Sequence, residues 1–140
     1  MDINWGNSVP GQYIGVGDTF SVIWKGYVAS SSDETVTFQV TVADTDERVK
    51  LWVGDSWIVD SWSSLVSTSP TATLWMASEQ LTDVELQYSS LATGVESLVQ
   101  LAWTSASIPG PKPVPANRLF TPAAHVQGSP FSFTVFPALR

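Results

Sequence analysis

Residues 44–62 of this chain, DTDERVKLWVGDSWIVDSW, decide its fold. Val49, Leu51 and Val53 alternate with Lys50 and Trp52, which is the period-two pattern of a half-buried β-strand. The Gly-Asp-Ser sequence at 54–56 is typical of a tight turn, and a second alternating stretch follows it. The stretch therefore predicts a β-hairpin with a loop rich in acidic side chains at the start of its first strand.

The same alternation recurs along most of the chain. Residues 35–42 give the clearest case, because Val36, Phe38, Val40 and Val42 share one face while threonines and a glutamine share the other. Further strands are predicted at residues 20–28, 71–76, 84–88, 98–104, 118–120 and 130–137. No stretch of helical period competes with them. About nine strands without a helix predict an all-β fold, an antiparallel sandwich or barrel.

The chain of 140 residues, 44% of them hydrophobic, is long enough for one domain with a proper core. We therefore expect a single domain over residues 1–140. Residues 1–18 are glycine-rich and are expected to form an irregular N-terminal segment. Residues 121–140 are expected to be either the closing strand of this domain or the stub of a neighbouring one, and the parent protein is expected to have several domains.

Charge and composition exclude several classes of function. The net charge of −7 and the few scattered Lys and Arg residues argue against nucleic-acid binding. The chain has no cysteine and a single histidine, His125, so Cys/His zinc sites are excluded, and no nucleophile-elbow motif supports a catalytic triad. No apolar run is long enough to span a bilayer, so we expect no membrane insertion. The protein is expected not to be an enzyme.

Six pieces of the sequence, in order, resemble the PA14 domain family, the β-sandwich module named after anthrax protective antigen. The resemblance covers about residues 4–120, and the segment 125–137 is similar to the last strand of filamin-type immunoglobulin repeats. The six pieces are WKGY at 24–27, DERVKLWV at 46–53, IVDSW at 58–62, ELQY at 85–88, LAW at 101–103 and VPANRLF at 114–120.

The resemblance implies a non-catalytic carbohydrate-binding or adhesion module of an extracellular or cell-surface protein, with glycans as partners. Lectins of the family bind sugar through a calcium ion held by two adjacent aspartates joined by a cis peptide. This chain has no such pair, and its nearest equivalents are Asp44, Asp46 and Glu47, the predicted calcium ligands. The alternatives are a solvated acidic turn at this loop, and a structural spacer or interaction module without glycan binding.

The tryptophans and Asp60 complete the candidate site. Seven tryptophans in a small β domain cannot all bind a ligand, because each buries a large area when it packs in a core. Trp52 and Trp57 are predicted to be exposed and to contact a ligand. Asp60 is predicted either to face the ligand or to bond neighbouring backbone. The core is predicted to contain Trp24, Trp62, Trp75 and Trp103.

Overall fold

The computed structural model describes residues 1–6, 19–63, 67–91, 97–120 and 132–137. These residues form eleven β-strands and one 3₁₀ turn, Ala116–Arg118. None of them belongs to a helix long and apolar enough to cross a membrane. The strands are β1 (Asp2–Gly6), β2 (Phe20–Val28), β3 (Glu34–Val42), β4 (Glu47–Val53), β5 (Ser56–Asp60), β6 (Thr71–Met76), β7 (Thr82–Ser90), β8 (Ser97–Thr104), β9 (Lys112–Pro113), β10 (Leu119–Phe120) and β11 (Ser132–Pro137).

The strands form two antiparallel sheets. A five-stranded sheet has the order β6–β3–β8–β1, and β9 pairs with the same edge of β8 as β1. A six-stranded sheet has the order β5–β4–β7–β2–β10, and β11 pairs with the same edge of β2 as β10. The all-β antiparallel sandwich predicted from the alternating pattern is therefore confirmed.

One continuous hydrophobic core receives the inward-facing side chains of both sheets. Every second residue of β4 and β8, and of β3 from Val36 onward, is buried, as the period-two pattern predicts. Aromatic pairs lie in this core: Phe38 packs against Trp103 at a centroid distance of 6.4 Å, and Phe20 packs against Tyr88 at 5.8 Å. The outward faces of the two sheets are thereby left for other roles.

The N-terminal segment is more regular than predicted. Asp2–Gly6 is a strand that pairs antiparallel with β8, with Ile3 opposite Val99, so the expectation of an irregular segment is wrong for these residues. The reason is that β8, in mid-sheet, needs partners for its backbone donors and acceptors on both sides. The remainder of the predicted segment, residues 7–18, lies outside the described residues.

The C-terminal strand β11 lies in the six-stranded sheet. It pairs antiparallel with β2 from Ser132 opposite Lys25 to Pro137 opposite Phe20. This is the position of a closing strand, since β11 covers the part of the β2 edge that the shorter β10 does not reach. Residues 121–131 and 138–140, which include His125, lie outside the described residues.

The tryptophans divide between core and surface. Trp24 and Trp103 are buried as predicted, and Trp62 is half-buried. The prediction for Trp75 is wrong, since this side chain is 62% exposed. It lies on β6, at the edge of its sheet, in the same outward phase as the exposed Thr71 and Thr73, whereas Met76 points into the core. An aromatic residue on a strand is thus not by itself a core residue.

Candidate functional site

Glu47, one of the predicted calcium ligands, is turned into the protein at the first position of β4. Its side chain is fully buried and accepts four hydrogen bonds from the protein. The oxygen Oε2 accepts the backbone N–H of Ala43 at 2.5 Å and that of Asp44 at 3.0 Å. The oxygen Oε1 accepts the backbone N–H of Leu98 at 3.1 Å and the hydroxyl of Tyr88. The carboxylate therefore joins the acidic loop to β7 and β8.

Burial dominates the electrostatics of this group. It raises the pKa of the Glu47 carboxyl, against the opposing effect of its hydrogen bonds from Tyr88 and from the backbone. Burial and the neighbouring carboxylate also raise the pKa of the Tyr88 hydroxyl well above its usual value. The sequence contained a signal for this position, because Glu47 has the same phase as the inward-facing Val49, Leu51 and Val53.

Asp44 and Asp46 form a local turn. The side-chain oxygen Oδ1 of Asp44 accepts the backbone N–H of Asp46 at 2.8 Å, which is the pattern of an Asx turn. Arg48 closes over the same loop, since its Nη1 donates to the carbonyl of Thr45 at 2.6 Å and to that of Glu47 at 2.9 Å. The carbonyl oxygen of Asp46 accepts the N–H of a residue in the loop after β7, Leu91.

These contacts do not fit the predicted three-carboxylate calcium site. Both oxygens of the Glu47 carboxylate already accept hydrogen bonds from donors inside the protein, so this side chain is not available to coordinate calcium. Among the described residues, no group of three or more His, Cys, Asp or Glu side chains is arranged to hold a metal ion. The other two members of the predicted set differ from Glu47 in burial, since Asp46 is exposed and Asp44 is half-buried.

The other three predicted residues, by contrast, lie together on the outer face of the six-stranded sheet. The rings of Trp52 and Trp57 meet edge to face, with centroids 5.1 Å apart and planes at 78°. The ammonium group of Lys50 lies 5.2 Å from the Trp57 ring centroid and 6.0 Å from that of Trp62. It also pairs with Asp60 at 3.9 Å, while Asp60 accepts the backbone N–H of Trp62 at 3.3 Å. We call Lys50, Trp52, Trp57 and Asp60 the aromatic platform.

A β-bulge in the hairpin assembles this platform. The pairing of β4 with β5 shifts register so that Ile58 is an extra residue on β5. With strict alternation, Trp57 would share the buried face of Val59. The shift places Trp57 opposite Trp52, on the outer face that also carries Asp60, and leaves the Trp57 side chain 40% exposed. Sequence alternation alone could not predict this arrangement.

Next to the platform, the same face contains a cavity of about 280 Å³ along β7, here called the β7 groove. Lys25 forms an ion pair with Glu85 at 3.5 Å in this groove, and Gln87 donates to Glu85 at 2.6 Å. Sequence reasoning did not single out these groups, although all of them occupy outward-facing strand positions. The groove is lined by Lys25, Gly26, Tyr27, Trp52, Asp83, Val84 and Glu85.

The sequence model of one protein family, the PA14 domain, matches residues 1–117 of this chain. The protein belongs to the PA14 domain family. The resemblance that the six sequence pieces indicated is thereby confirmed, and the sandwich described above is a PA14 domain in its fold.

Three relatives show where this PA14 domain has counterparts. The anti-sigma-I factor RsgI3 of Acetivibrio thermocellus is 32% identical over 76% of this chain, which spans only 16% of that protein. A solved anti-sigma factor domain-containing protein from Clostridium clariflavum is 28% identical, with a TM-score of 0.74, over 85% of this chain and 38% of its own. A subtype-switched epithelial adhesin A domain from Candida glabrata, solved with β-lactose, has a TM-score of 0.56 at 9% identity, over 70% of this chain and 48% of its own. The last likeness concerns the fold alone.

Proposed function

We propose that this PA14 domain is a non-catalytic carbohydrate-binding module of an extracellular or cell-surface multidomain protein, and that glycans bind on the aromatic platform. The observation that carries the proposal is the edge-to-face pair of Trp52 and Trp57 on an outer sheet face, beside Lys50 and Asp60. A pyranose ring has an apolar face that packs on an indole ring and a rim of hydroxyl groups that bonds polar side chains. The platform offers both kinds of partner.

Contacts within the protein hold the platform residues in place. Trp52 and Trp57 hold each other, and the hairpin that carries them is fixed by pairing of β4 with β7 as well as β5. Preorganised aromatic groups lose little conformational entropy on binding, so that more of the contact energy appears as affinity. Large aromatic side chains that are exposed to water lower the solubility of a protein, so their presence on this face favours a binding role.

The relatives support the multidomain part of this proposal. The chain spans well under half of the anti-sigma factor proteins to which it is similar. The adhesin that shares the fold was solved with a bound sugar, although its low identity gives no information on the residues of the present site. In a protein of the anti-sigma type, a glycan-binding module would supply a means of detecting extracellular carbohydrate.

The similarity to anti-sigma factors also favours a second candidate, an interaction or spacer module with no glycan binding. In that case the platform would contact another part of its own multidomain protein. The two candidates differ in a simple respect, since only the first requires affinity for free carbohydrate.

A glycan array followed by titration calorimetry tests the proposal. We expect saturable binding of at least one glycan, and we expect Trp57→Ala to weaken it by about tenfold, the loss of one stacking contact. Trp75→Ala is the matched control, because Trp75 is an exposed tryptophan on the opposite sheet and its removal should leave binding unchanged. A flat array in the presence and absence of calcium would support the spacer candidate.

Calcium binding through Asp44 and Asp46 stays a prediction of the family resemblance, with Glu47 withdrawn from the ligand set. If calcium binds this loop, its addition should raise the melting temperature in a saturable manner, and EDTA should reverse the effect. The variant with Asp44→Asn and Asp46→Asn should lose the response. Equal melting curves in calcium and in EDTA would end the calcium prediction and leave the aromatic platform unaffected.

A further inference from the structure

We infer that the β7 groove and the aromatic platform form one continuous site for an extended, uncharged polysaccharide chain. This inference rests on the proposed carbohydrate function and adds the class of ligand. It follows from the walls of the groove, its floor, its charge and its continuity with the platform.

Two aromatic side chains from different strands border the groove. Tyr27 on β2 and Trp52 on β4 lie on either side of β7, and both line the cavity of about 280 Å³. An aromatic group on each side of a polar floor suits a pyranose ring, which presents C–H groups to the aromatic surfaces and hydroxyl groups to the floor. A flat aromatic surface alone would not select a ring of this kind.

The floor supplies hydrogen-bond acceptors for hydroxyl groups. Asp83 and Glu85 point outward from β7 into the cavity, at register positions opposite Tyr27 and Lys25. Gln87 donates to Glu85 at 2.6 Å and thereby orients its carboxylate. Because ionised carboxylates only accept hydrogen bonds, they match the O–H donors of a neutral sugar.

The charge of the groove excludes acidic sugars. Its charged side chains are one lysine and two carboxylates, giving +1 − 2 = −1, and Lys25 is already paired with Glu85 at 3.5 Å. On the adjoining platform Lys50 is similarly paired with Asp60 at 3.9 Å. The whole chain carries a net charge of −7, so a uronate or sulfated chain would be repelled both at long range and in the groove.

Trp52 makes the two halves of the site continuous, since it both lines the groove and packs against Trp57. The side chains of Lys25, Glu85, Trp52 and Trp57 form one row across four adjacent strands, β2, β7, β4 and β5. At a strand spacing of about 4.8 Å such a row spans roughly 14 Å, which exceeds one sugar ring. The site therefore suits several consecutive sugar units of a chain rather than a terminal residue.

The test uses the complete chain and a panel of neutral linear hexaoses (cello-, xylo-, manno- and galacto-hexaose), each beside a counterpart carrying carboxylates. Calorimetry should detect binding of at least one neutral hexaose, with binding of the carboxylated counterpart weaker by about tenfold or more. Shortening that hexaose to the disaccharide should also weaken binding by about tenfold, as contacts across the row are lost.

Variants separate this inference from the proposed function. Tyr27→Ala and Glu85→Gln should each weaken binding of the neutral hexaose by about tenfold, and Tyr27→Phe should retain most of it. Asp55→Asn, an exposed acid in the β4–β5 turn, is the control for charge, and melting temperatures check that each variant folds. Binding that requires Trp57 but ignores Tyr27 and Glu85, or that prefers the carboxylated chain, would overturn the inference and keep the proposed function. Failure of every hexaose and of the glycan array would overturn both.

Discussion

At the scale of single residues, Glu47 is the group whose role differs most from expectation. The family resemblance made this residue one of the three predicted calcium ligands, whereas here its carboxylate accepts hydrogen bonds from four protein donors. Those bonds hold the acidic loop against β7 and β8. A buried carboxylate is costly unless fully hydrogen-bonded, and this one is.

Replacing Glu47 by Gln tests this role. The amide nitrogen of Gln cannot accept hydrogen bonds, so about two of the four donors would lose their partner in a buried site. We expect the free energy of unfolding to fall by about 3 kcal/mol, measured by urea denaturation. The control is Glu79→Gln, at an exposed ion pair with Arg118, where about 0.5 kcal/mol or less is expected. Equal losses in the two variants would contradict a special role for Glu47.

At the scale of elements, the β4–β5 hairpin decides where the platform residues point. Its turn places Gly54 at a φ of 64°, the left-handed region that favours glycine, and Asp55 is not in that region. These signs of φ are those of a type II′ turn, whose twist matches that of a hairpin. The turn and the bulge at Ile58 together fix Trp52 opposite Trp57.

Gly54→Ala should therefore strain the turn that supports the site. The cost of placing a Cβ at this φ is about 1–2 kcal/mol of stability, measurable by urea denaturation, and glycan affinity should fall with it if the tryptophan pair loosens. The neighbouring Asp55→Ala change, at a residue outside the left-handed region, should alter stability by less than about 0.5 kcal/mol. A Gly54→Ala variant as stable as Asp55→Ala would show that the turn conformation is unimportant.

The same elements show what the sequence could predict. Alternation along β2, β3, β4 and β8 identified the strands and the core, because both sheets bury one face. The alternating pattern also places Glu47 on the inward face of β4 and Trp75 on the outward face of β6. The resemblance to the family led us to predict Glu47 as a metal ligand instead, and the aromatic character of Trp75 led us to predict it in the core. It could not give the position of Trp57, since a bulge depends on pairing with a strand rather than on local pattern.

At the scale of the whole molecule, the domain extends beyond the stretch that matches the family. The family match ends at residue 117, yet β11 at Ser132–Pro137 pairs with β2, and β2 is the neighbour of β7 in the sheet that carries the site. Without β11, much of the β2 edge would present unpaired backbone groups, which favour association with other chains.

Truncation after residue 120 should therefore destabilise the fold, although it leaves residues 1–117, which match the family model, intact. We expect the melting temperature to fall by about 10 °C or more, with oligomers detected by size-exclusion chromatography, because several strand-to-strand hydrogen bonds are lost. Removal of residues 138–140 alone is the control and should have little effect. A monomeric, equally stable product of the longer truncation would show that β11 is dispensable.

The contact between Trp52 and Trp57 has one more consequence, which is optical. Two indoles with centroids 5.1 Å apart and planes at 78° couple their electronic transitions, so their circular dichroism should contain a pair of bands of opposite sign. A molecule that covers Trp57 would alter those bands and the indole emission together, and Trp75→Phe would remove background emission from the most exposed tryptophan among those whose side chains the structure describes. The domain thus contains its own label-free reporter, with which candidate carbohydrates can be screened by spectroscopy in solution.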